Sequence, residues 1–140
     1  MFERVHHVAY TVESLEEYRT FFEEALQFPL VARREMPDAG YDADVYEVGE
    51  TLIEVQEPRG HEEMERFLSE HGEGLNHVAY EVDDIEDAVE ILESYGMEPQ
   101  WEEPMVAPTF PDYALLDMDV ETTKGIYLQL VEKLGESSDA

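Results

Sequence analysis

The feature that most constrains this chain is an internal repeat at an offset of 70 residues. The segment HVAYTVESLEEYRTFFEEAL starts at His7, and HVAYEVDDIEDAVEILESYG starts at His77 and aligns with it without a gap. The tetrapeptide His-Val-Ala-Tyr recurs intact, and apolar residues coincide further on, as at Leu15 and Ile85. A repeat of this length in a chain of 140 residues predicts two equivalent structural modules.

Each copy of the repeat begins as a strand and continues as a helix. Residues 8–12 and 78–82 alternate between larger apolar side chains and other residues, the period of two that is typical of a half-buried strand. Beyond them the apolar residues recur at helical spacing and form one face. Ser14 and Glu17 have the form of a capping box, and Asp84 occupies the place of Ser14 in the second copy. The pattern therefore predicts a helix after each opening strand.

Strand-like stretches bounded by Pro- and Gly-bearing turns follow each helix. They are residues 29–35, 43–49 and 51–57 in the first half, and 98–103, 113–119 and 125–132 in the second. Residues 104–112, which contain three prolines, are expected to form a loop. The order strand, helix, strand, strand, strand in each half predicts an α+β fold of two tandem βαβββ modules.

These elements set the expected organisation of the chain as one domain over residues 1–140. The expected parts are a first module at 4–58, an acidic linking helix and turn at 59–74, a second module at 75–133 and a frayed tail at 134–140. A length of 140 residues and 43% hydrophobic content are enough for a single core.

The charge of the chain excludes several classes of partner. Eight Lys and Arg against 36 Asp and Glu give a net charge of −28, which repels phosphate backbones and anionic lipid surfaces. The apolar runs are too short for a membrane span, and residues 1–15 lack the pattern of a signal peptide, so a cytoplasmic location is expected. The acids divide evenly, with 18 in residues 1–70 and 18 in 71–140, which favours a salt-rich cytoplasm where their repulsion is screened. The absence of Cys excludes disulfides, thiolate metal sites and cysteine nucleophiles.

Four polar residues lie at strand positions where apolar side chains are expected. The repeat extends to the last strands, where it sets Glu54 opposite Gln129, and each of the two lies among apolar neighbours. His7 and His77 open the two copies. A polar side chain in such a strand costs a few kcal/mol unless it is hydrogen-bonded or bound to a ligand, so the four positions require an explanation.

Structural explanations remain open for each of these residues. A single strand histidine is more often hydrogen-bonded within a core than bound to a metal, although two at equivalent places favour a site. A shift of the strand alternation by one residue would move Glu54 to the surface. Gln129 is the weakest member, because an amide oxygen is a poor ligand. His6, on the opposite face from His7, is expected to lie outside the site.

Together the four side chains would form a pseudo-symmetric site of two nitrogen and two oxygen donors. Neutral imidazole and carboxylate oxygen suit one divalent metal ion such as Zn, Mn, Co, Ni, Mg or Fe. Four protein ligands leave two exchangeable positions in an octahedron.

The motifs that carry these residues resemble those of the vicinal oxygen chelate superfamily, which includes glyoxalase I, methylmalonyl-CoA epimerase, ring-cleaving dioxygenases and bleomycin-resistance proteins. They are HHVAY near the start, VGETLIE ending at Glu54, GEGLNHVAYEVDD around His77, and GIYLQL around Gln129. The resemblance covers about residues 4–133 and is strongest to the epimerase and glyoxalase I branch. It implies paired βαβββ modules whose eight strands form a curved, partly open, barrel-like sheet around a metal, with the helices outside. It also places the four metal ligands on His7, Glu54, His77 and Gln129.

Two departures from the superfamily pattern bear on the chemistry. The fourth ligand place is commonly a Glu that transfers a proton, whereas Gln129 cannot accept one. The His-Pro-Lys-Ser stretch of the epimerases is absent, and residues 117–124 stand in its place. We therefore expect Glu54 to be the base, with Glu35 or Glu47 as a possible second one.

The function implied is that of a metal-dependent lyase or isomerase that removes a proton next to a carbonyl and stabilises the resulting enediolate. The alternatives are a non-haem Fe(II) ring-cleaving dioxygenase and a metal-free small-molecule binding or resistance protein. The expected partner is a small-molecule substrate, with neither nucleic acid nor membrane. Strand edges left by two open modules favour a homodimer. Arg33, Arg34, Arg59 and Lys124 are the few residues available to bind an anionic substrate group.

Overall fold

The computed structural model describes residues 1–135, so residues 136–140 of the expected frayed tail lie outside the described part. The first helix continues beyond its α-helical part as a π-helix, Thr20–Ala25. The strands and α-helices are, in chain order, β1 Phe2–Thr11, α1 Leu15–Arg19, β2 Leu30–Met36, β3 Tyr41–Val48, β4 Thr51–Pro58, α2 Glu62–His71, β5 Gly74–Val82, α3 Ile85–Glu93, β6 Met105–Val106, β7 Tyr113–Asp117 and β8 Leu128–Lys133.

This order confirms the expected α+β fold. Strand β1, helix α1 and strands β2 to β4 form one βαβββ series, and strand β5, helix α3 and strands β6 to β8 form a second, with α2 between them. The chain also divides into two compact units by its contacts. We call residues 7–76 the N-terminal unit and residues 1–6 with the chain from His77 onward the C-terminal unit. Strand β1 contributes residues to both.

The N-terminal unit contains a mixed sheet with the strand order β2-β3-β4-β1. Strands β2, β3 and β4 are antiparallel neighbours, as their short turns require, and β4 lies parallel to β1. The register pairs Ala9 with Glu54 across β1 and β4, and Val45 with Glu54 across β3 and β4.

The C-terminal unit repeats this arrangement with the strand order β5-β8-β7-β6, preceded by the first residues of β1. Strand β8 lies parallel to β5, and β7 is antiparallel to β8. Here the register pairs Ala79 with Gln129, and Asp117 with Gln129. The sequence repeat is therefore matched by a repeat of strand pairing.

Each helix packs on one face of the sheet of its own unit. In the N-terminal unit the core contains Val12, Leu15, Phe22, Tyr46 and Val55. The core of the C-terminal unit holds Val82, Ile85, Ala88, Leu116, Met118 and Leu130. Because successive side chains in a strand point to opposite faces, burial of these residues under the helix leaves their strand neighbours on the other face. Glu54 and Gln129 are among those neighbours.

The two helix starts are held by carboxylates from the last strand of the same module. Glu57 Oε1 accepts a hydrogen bond from the Leu15 amide at 2.9 Å, and Glu132 Oε1 accepts one from the Ile85 amide at 2.8 Å. Asp84 also caps α3, with the Asp87 amide 3.0 Å from its Oδ1. The expected capping box at Ser14 is wrong, because its side chain makes no capping hydrogen bond. The first amide of α1 is thus satisfied by a residue distant in sequence.

The strand expected at residues 98–103 is also wrong. That stretch makes a single isolated bridge, from Pro99 to Met118, and strand β6 instead lies within the expected proline-rich loop. Two backbone hydrogen bonds flank that bridge, from Gln100 N to Asp117 O and from Asp119 N to Glu98 O, both 2.8 Å, whereas Met105 and Val106 pair with β7.

Candidate metal centre

In the N-terminal unit, His7 and Glu54 lie side by side on one face of the sheet. Because Ala9 pairs with Glu54 and His7 with Leu52 in parallel strands, all four side chains share that face. The His7 Nε2 and Glu54 Oε1 atoms are 3.5 Å apart, and the residues are only 1% and 2% exposed. A buried carboxylate requires a positive or hydrogen-bonding partner, and a metal cation would satisfy both side chains.

The two residues named as a second base lie on different faces of this sheet. Glu47 pairs with Leu52 and therefore shares the face of Glu54, where it is exposed. Glu35 pairs with Asp42, which pairs with Glu57, and these residues occupy the opposite face. The structure thus brings Glu47, but not Glu35, to the side of the sheet that carries Glu54.

In the C-terminal unit, His77 and Gln129 repeat the arrangement of His7 and Glu54. Ala79 pairs with Gln129 in parallel strands, so His77, Ala79 and Gln129 share one face. Burial of the His77 ring lowers its pKa to about 4. The ring is therefore neutral at neutral pH, and neutral imidazole is the form that binds a metal.

The amide of Gln129 offers the clearest test of a metal in this unit. Its Nε2 donates to Asp117 Oδ1 at 2.8 Å. Its Oε1 is buried and, among the described residues, has no hydrogen-bond partner. Buried polar atoms are nearly always satisfied, so a buried amide oxygen of this kind is suited to bind an ion or a water molecule. Amide oxygen is an accepted ligand for hard divalent cations, and the residues therefore fit a metal.

An alanine stands beside the oxygen donor in both units. Ala9 and Ala79 are each 0% exposed and pair with Glu54 and Gln129 respectively. Any larger side chain at these places would lie against the donor group, because directly paired side chains are about 4.5–5.5 Å apart at Cβ. The alanine of the repeated tetrapeptide thus leaves space around each donor.

His6 belongs to a different environment from His7. Its ring lies 5.0 Å from that of Phe110 and 4.3 Å from that of Tyr113, measured between centroids. Burial lowers the pKa of His6 to about 4, with a further contribution from Arg4. These contacts hold His6 as a buried aromatic partner in the C-terminal unit.

The arginines considered as anion ligands are largely engaged by acids. Arg33 contacts Asp44 at 3.1 Å and Glu23 at 2.8 Å, and Arg59 contacts Glu57 and Asp42 at 3.1 and 3.2 Å. Arg33, Arg34 and Arg59, together with Arg19, line a cavity of about 660 Å³ in the N-terminal unit, and five carboxylates line the same cavity. The acids outnumber the four arginines there, so this cavity does not favour an anion.

Asp117 contacts the candidate ligand Gln129, and the sequence interpretation did not single it out. Only the antiparallel register of β7 and β8 shows that it lies beside Gln129. Nothing in the local sequence marks it, because its acidic neighbourhood is common throughout the chain.

Within residues 1–135, none of the helices combines the length and apolar character that crossing a membrane requires.

Comparison with solved structures identifies the same fold in other proteins. A hypothetical protein from Bacillus halodurans is 23% identical and has a TM-score of 0.86, with 95% of this chain and 96% of that chain covered. Methylmalonyl-CoA epimerase from Mycobacterium tuberculosis is 20% identical with a TM-score of 0.86, over 99% of this chain and 93% of that one. A methylmalonyl-CoA epimerase in complex with methylmalonyl-CoA and NH4+ is 15% identical with a TM-score of 0.85, over 96% and 97%. At these identities the likeness shows a common fold and leaves the activity open.

Comparison by sequence, unlike comparison by fold, assigns the chain to a family. No curated protein matches the chain significantly. A family model described as the glyoxalase/bleomycin resistance protein/dioxygenase superfamily matches residues 6–110, about three quarters of the chain, and this range includes His7, Glu54 and His77. The chain, with its two βαβββ series and its repeated donor positions, therefore belongs to the glyoxalase/bleomycin resistance protein/dioxygenase superfamily.

Proposed function

We propose that this protein is a divalent-metal-dependent isomerase or lyase that removes a proton from carbon next to a carbonyl group. The observation that carries the proposal is the buried Oε1 of Gln129, which has no hydrogen-bond partner within residues 1–135. Gln129 stands at the place in the C-terminal unit that Glu54 occupies in the N-terminal unit. Membership of the superfamily, whose members typically use a divalent metal, supports it.

The residues that would hold the metal are His7, Glu54, His77 and Gln129. Their donors are two imidazole nitrogens, a carboxylate oxygen and an amide oxygen, which suit a borderline or hard divalent cation. When bound, the cation would act as a Lewis acid that stabilises negative charge on a substrate oxygen. The single carboxylate keeps one positive charge on the assembled site, which favours an anionic reacting group.

Glu54 is the residue that we assign to proton transfer. A carboxylate can accept a proton from carbon and return it, whereas the amide of Gln129 has no basic site for this step. Glu54 is almost fully buried, and a base shielded from water keeps the proton it has removed available for return to the substrate. Its neighbour across the β3–β4 ladder is the apolar Val45, which is 2% exposed.

The substrate class follows from the same chemistry. A carbon acid next to a thioester or a ketone becomes acidic enough for a carboxylate base when the adjacent oxygen is stabilised. Methylmalonyl-CoA is bound by one protein of the same fold, so a 2-substituted acyl thioester is our first candidate for this chain. A hemithioacetal of a 2-oxoaldehyde is the second.

The proposal is tested with metal analysis and isotope exchange. The purified protein is stripped with a chelator, loaded with Co²⁺ or Mn²⁺, and incubated in D₂O with methylmalonyl-CoA or with methylglyoxal hemithioacetal. We expect one metal per chain and metal-dependent incorporation of deuterium at the carbon next to the carbonyl. A protein that binds no metal at a stoichiometric level contradicts the proposal and favours a metal-free binding protein, whereas oxygen consumption with a catechol would favour a dioxygenase.

A further inference from the structure

We propose that Asp117 is a positioning residue, which fixes the amide of Gln129 so that its oxygen, and not its nitrogen, faces the metal. The inference rests on the proposed function, because it concerns the same metal. Asp117 is not one of the four proposed ligands and would act on the metal site through Gln129.

The need for such a residue follows from the chemistry of an amide. The two ends of the Gln129 side chain have nearly the same shape, but only the oxygen can bind a cation, since the NH₂ group is a donor of hydrogen bonds. An amide that turns freely would present the wrong end part of the time. A metal site built on glutamine therefore needs a partner that distinguishes the two ends.

Asp117 has the geometry and the charge to make this distinction. It pairs directly with Gln129 across the antiparallel β7–β8 ladder, and its Oδ1 lies 2.8 Å from Gln129 Nε2. An ionised carboxylate only accepts hydrogen bonds, so it attracts the NH₂ group and repels the amide oxygen. Oε1 is thereby held on the other side, where it is buried and makes no hydrogen bond to any described residue.

The equivalent position in the N-terminal unit supports this assignment. There the residue that pairs with the oxygen donor is Val45, which is apolar and 2% exposed. The two oxygens of the Glu54 carboxylate are chemically equivalent, so either orientation presents a ligand and no orienting partner is required. The acidic partner thus occurs beside the amide donor and not beside the carboxylate donor.

The experiment measures Co²⁺ affinity of the full chain by isothermal titration, together with thermal unfolding of each variant. The variants are Asp117→Leu, Asp117→Asn, Gln129→Ala, the double variant Asp117→Leu/Gln129→Ala, and Val45→Thr as the matched control in the other unit. Asp117→Asn is included because it preserves shape and folds even if the leucine variant does not.

We expect Asp117→Leu to weaken Co²⁺ binding by roughly 10- to 100-fold, the usual effect of losing a hydrogen-bond partner of a metal ligand. Asp117→Asn gives a smaller loss, because its amide can bond either end of Gln129. In the Gln129→Ala background the loss on changing Asp117 disappears, since the two residues act as a unit. Val45→Thr leaves the affinity unchanged.

A second comparison uses glutamate in place of the amide. Gln129→Glu in the Asp117→Leu background needs no orientation, so it restores Co²⁺ affinity to at least the value of the unchanged protein. Gln129→Glu alone sets two carboxylates side by side and binds less tightly than that double variant.

The outcomes separate this inference from the proposed function. If the unchanged protein binds no Co²⁺, the metal site itself is refuted and the inference falls with it. If the unchanged protein binds Co²⁺ but Asp117→Leu and Asp117→Asn bind equally well, the positioning role is refuted while the metal site stands. A loss that persists in full in the Gln129→Ala background also refutes it, because Asp117 would then act by another route.

Discussion

The two units of this protein carry their candidate metal donors at equivalent positions of the same strand arrangement, but the two oxygen donors differ in chemistry. In each, a histidine and an alanine two residues later occupy the opening strand, and the alanine pairs with an oxygen donor on the parallel last strand. The donor is the carboxylate of Glu54 in the N-terminal unit and the amide of Gln129 in the C-terminal unit. The neighbour of the donor also differs, since it is Val45 in one and Asp117 in the other.

Under the proposed function, the duplicated fold would share its ligand positions between the two units while the chemical roles of Glu54 and Gln129 differ. A carboxylate combines negative charge with the ability to take a proton, whereas an amide offers only a neutral oxygen and depends on a neighbour for its orientation. We therefore expect substitutions at equivalent positions of the two units to have unequal effects, and the following experiments test this expectation.

The largest effect, a loss of turnover, is expected when Glu54 is changed to glutamine and thus made chemically like Gln129. Glu54→Gln removes the base but keeps an oxygen donor, so turnover should fall by about 10²- to 10⁴-fold. Deuterium exchange with a substrate identified as above measures turnover, and metal analysis shows that the ion is retained. Gln129→Glu is the matched variant in the other unit and should lower exchange far less. Full activity of Glu54→Gln would refute the role of Glu54.

The next largest effect concerns stability and is confined to the N-terminal unit. Buried Asp44 binds Arg19 at 2.8 and 3.1 Å and Arg33 at 3.1 Å, while the equivalent position by register in the C-terminal unit is the apolar Leu116. Asp44→Asn should lower the free energy of unfolding by about 2–3 kcal/mol, because it weakens charge-assisted hydrogen bonds to two arginines.

Denaturant unfolding measures this loss. Glu24→Gln, which makes the same change of charge at an exposed position, serves as the control and should alter stability by less than about 0.5 kcal/mol. Equal effects of the two variants would show that only net charge matters at Asp44.

A smaller effect is expected where the two units are alike. Glu57→Ala and Glu132→Ala each remove the carboxylate that binds the first amide of a helix. Each should cost about 1 kcal/mol of unfolding free energy, the usual value for a lost helix cap. Thermal unfolding checks this, with the exposed Glu90→Ala as control. If only one of the two variants lowered the unfolding free energy, the two helix caps would be structurally equivalent but would not contribute equally to stability.

The smallest contribution to stability from any single residue is expected on the acidic surface, whose charges are spread over both halves of the chain. The net charge of −28 should make unfolding temperature rise from dilute buffer to molar KCl, because salt shortens the screening length to about 3 Å. We expect a gain on the order of 1 kcal/mol, or roughly 4 °C, for a chain of this size. A flat or falling unfolding temperature would contradict the hypothesis of a salt-rich cytoplasm.

Local patterns predicted most of the elements but not all of their ends. The repeat identified both modules because strand and helix periods are properties of short segments, as around Leu15 and Ile85. Pairing partners are a property of distant segments, which explains the two errors. Leu15 is capped by Glu57 instead of Ser14, and the second-module strand lies at Met105–Val106 instead of residues 98–103.

The candidate donors could be predicted because duplication placed unusual residue types at equivalent positions. His7, Glu54, His77 and Gln129 stand out from the sequence alone, since polar residues recur at matching places among apolar neighbours. The sequence did not separate Glu35 from Glu47 as a second base, because the face of each depends on register.

Residue type and short-range period set the duplicated architecture, the acidic surface and the choice of candidate oxygen and nitrogen donors, so these features could be inferred from the amino-acid sequence. The tertiary structure alone decided which neighbour each donor meets, Val45 for Glu54 and Asp117 for Gln129. The physical reason is that hydrogen-bond partners across a sheet are chosen by strand register. A shift of one residue in register would have turned Asp117 to the other face and removed the carboxylate that accepts the hydrogen bond of Gln129 Nε2.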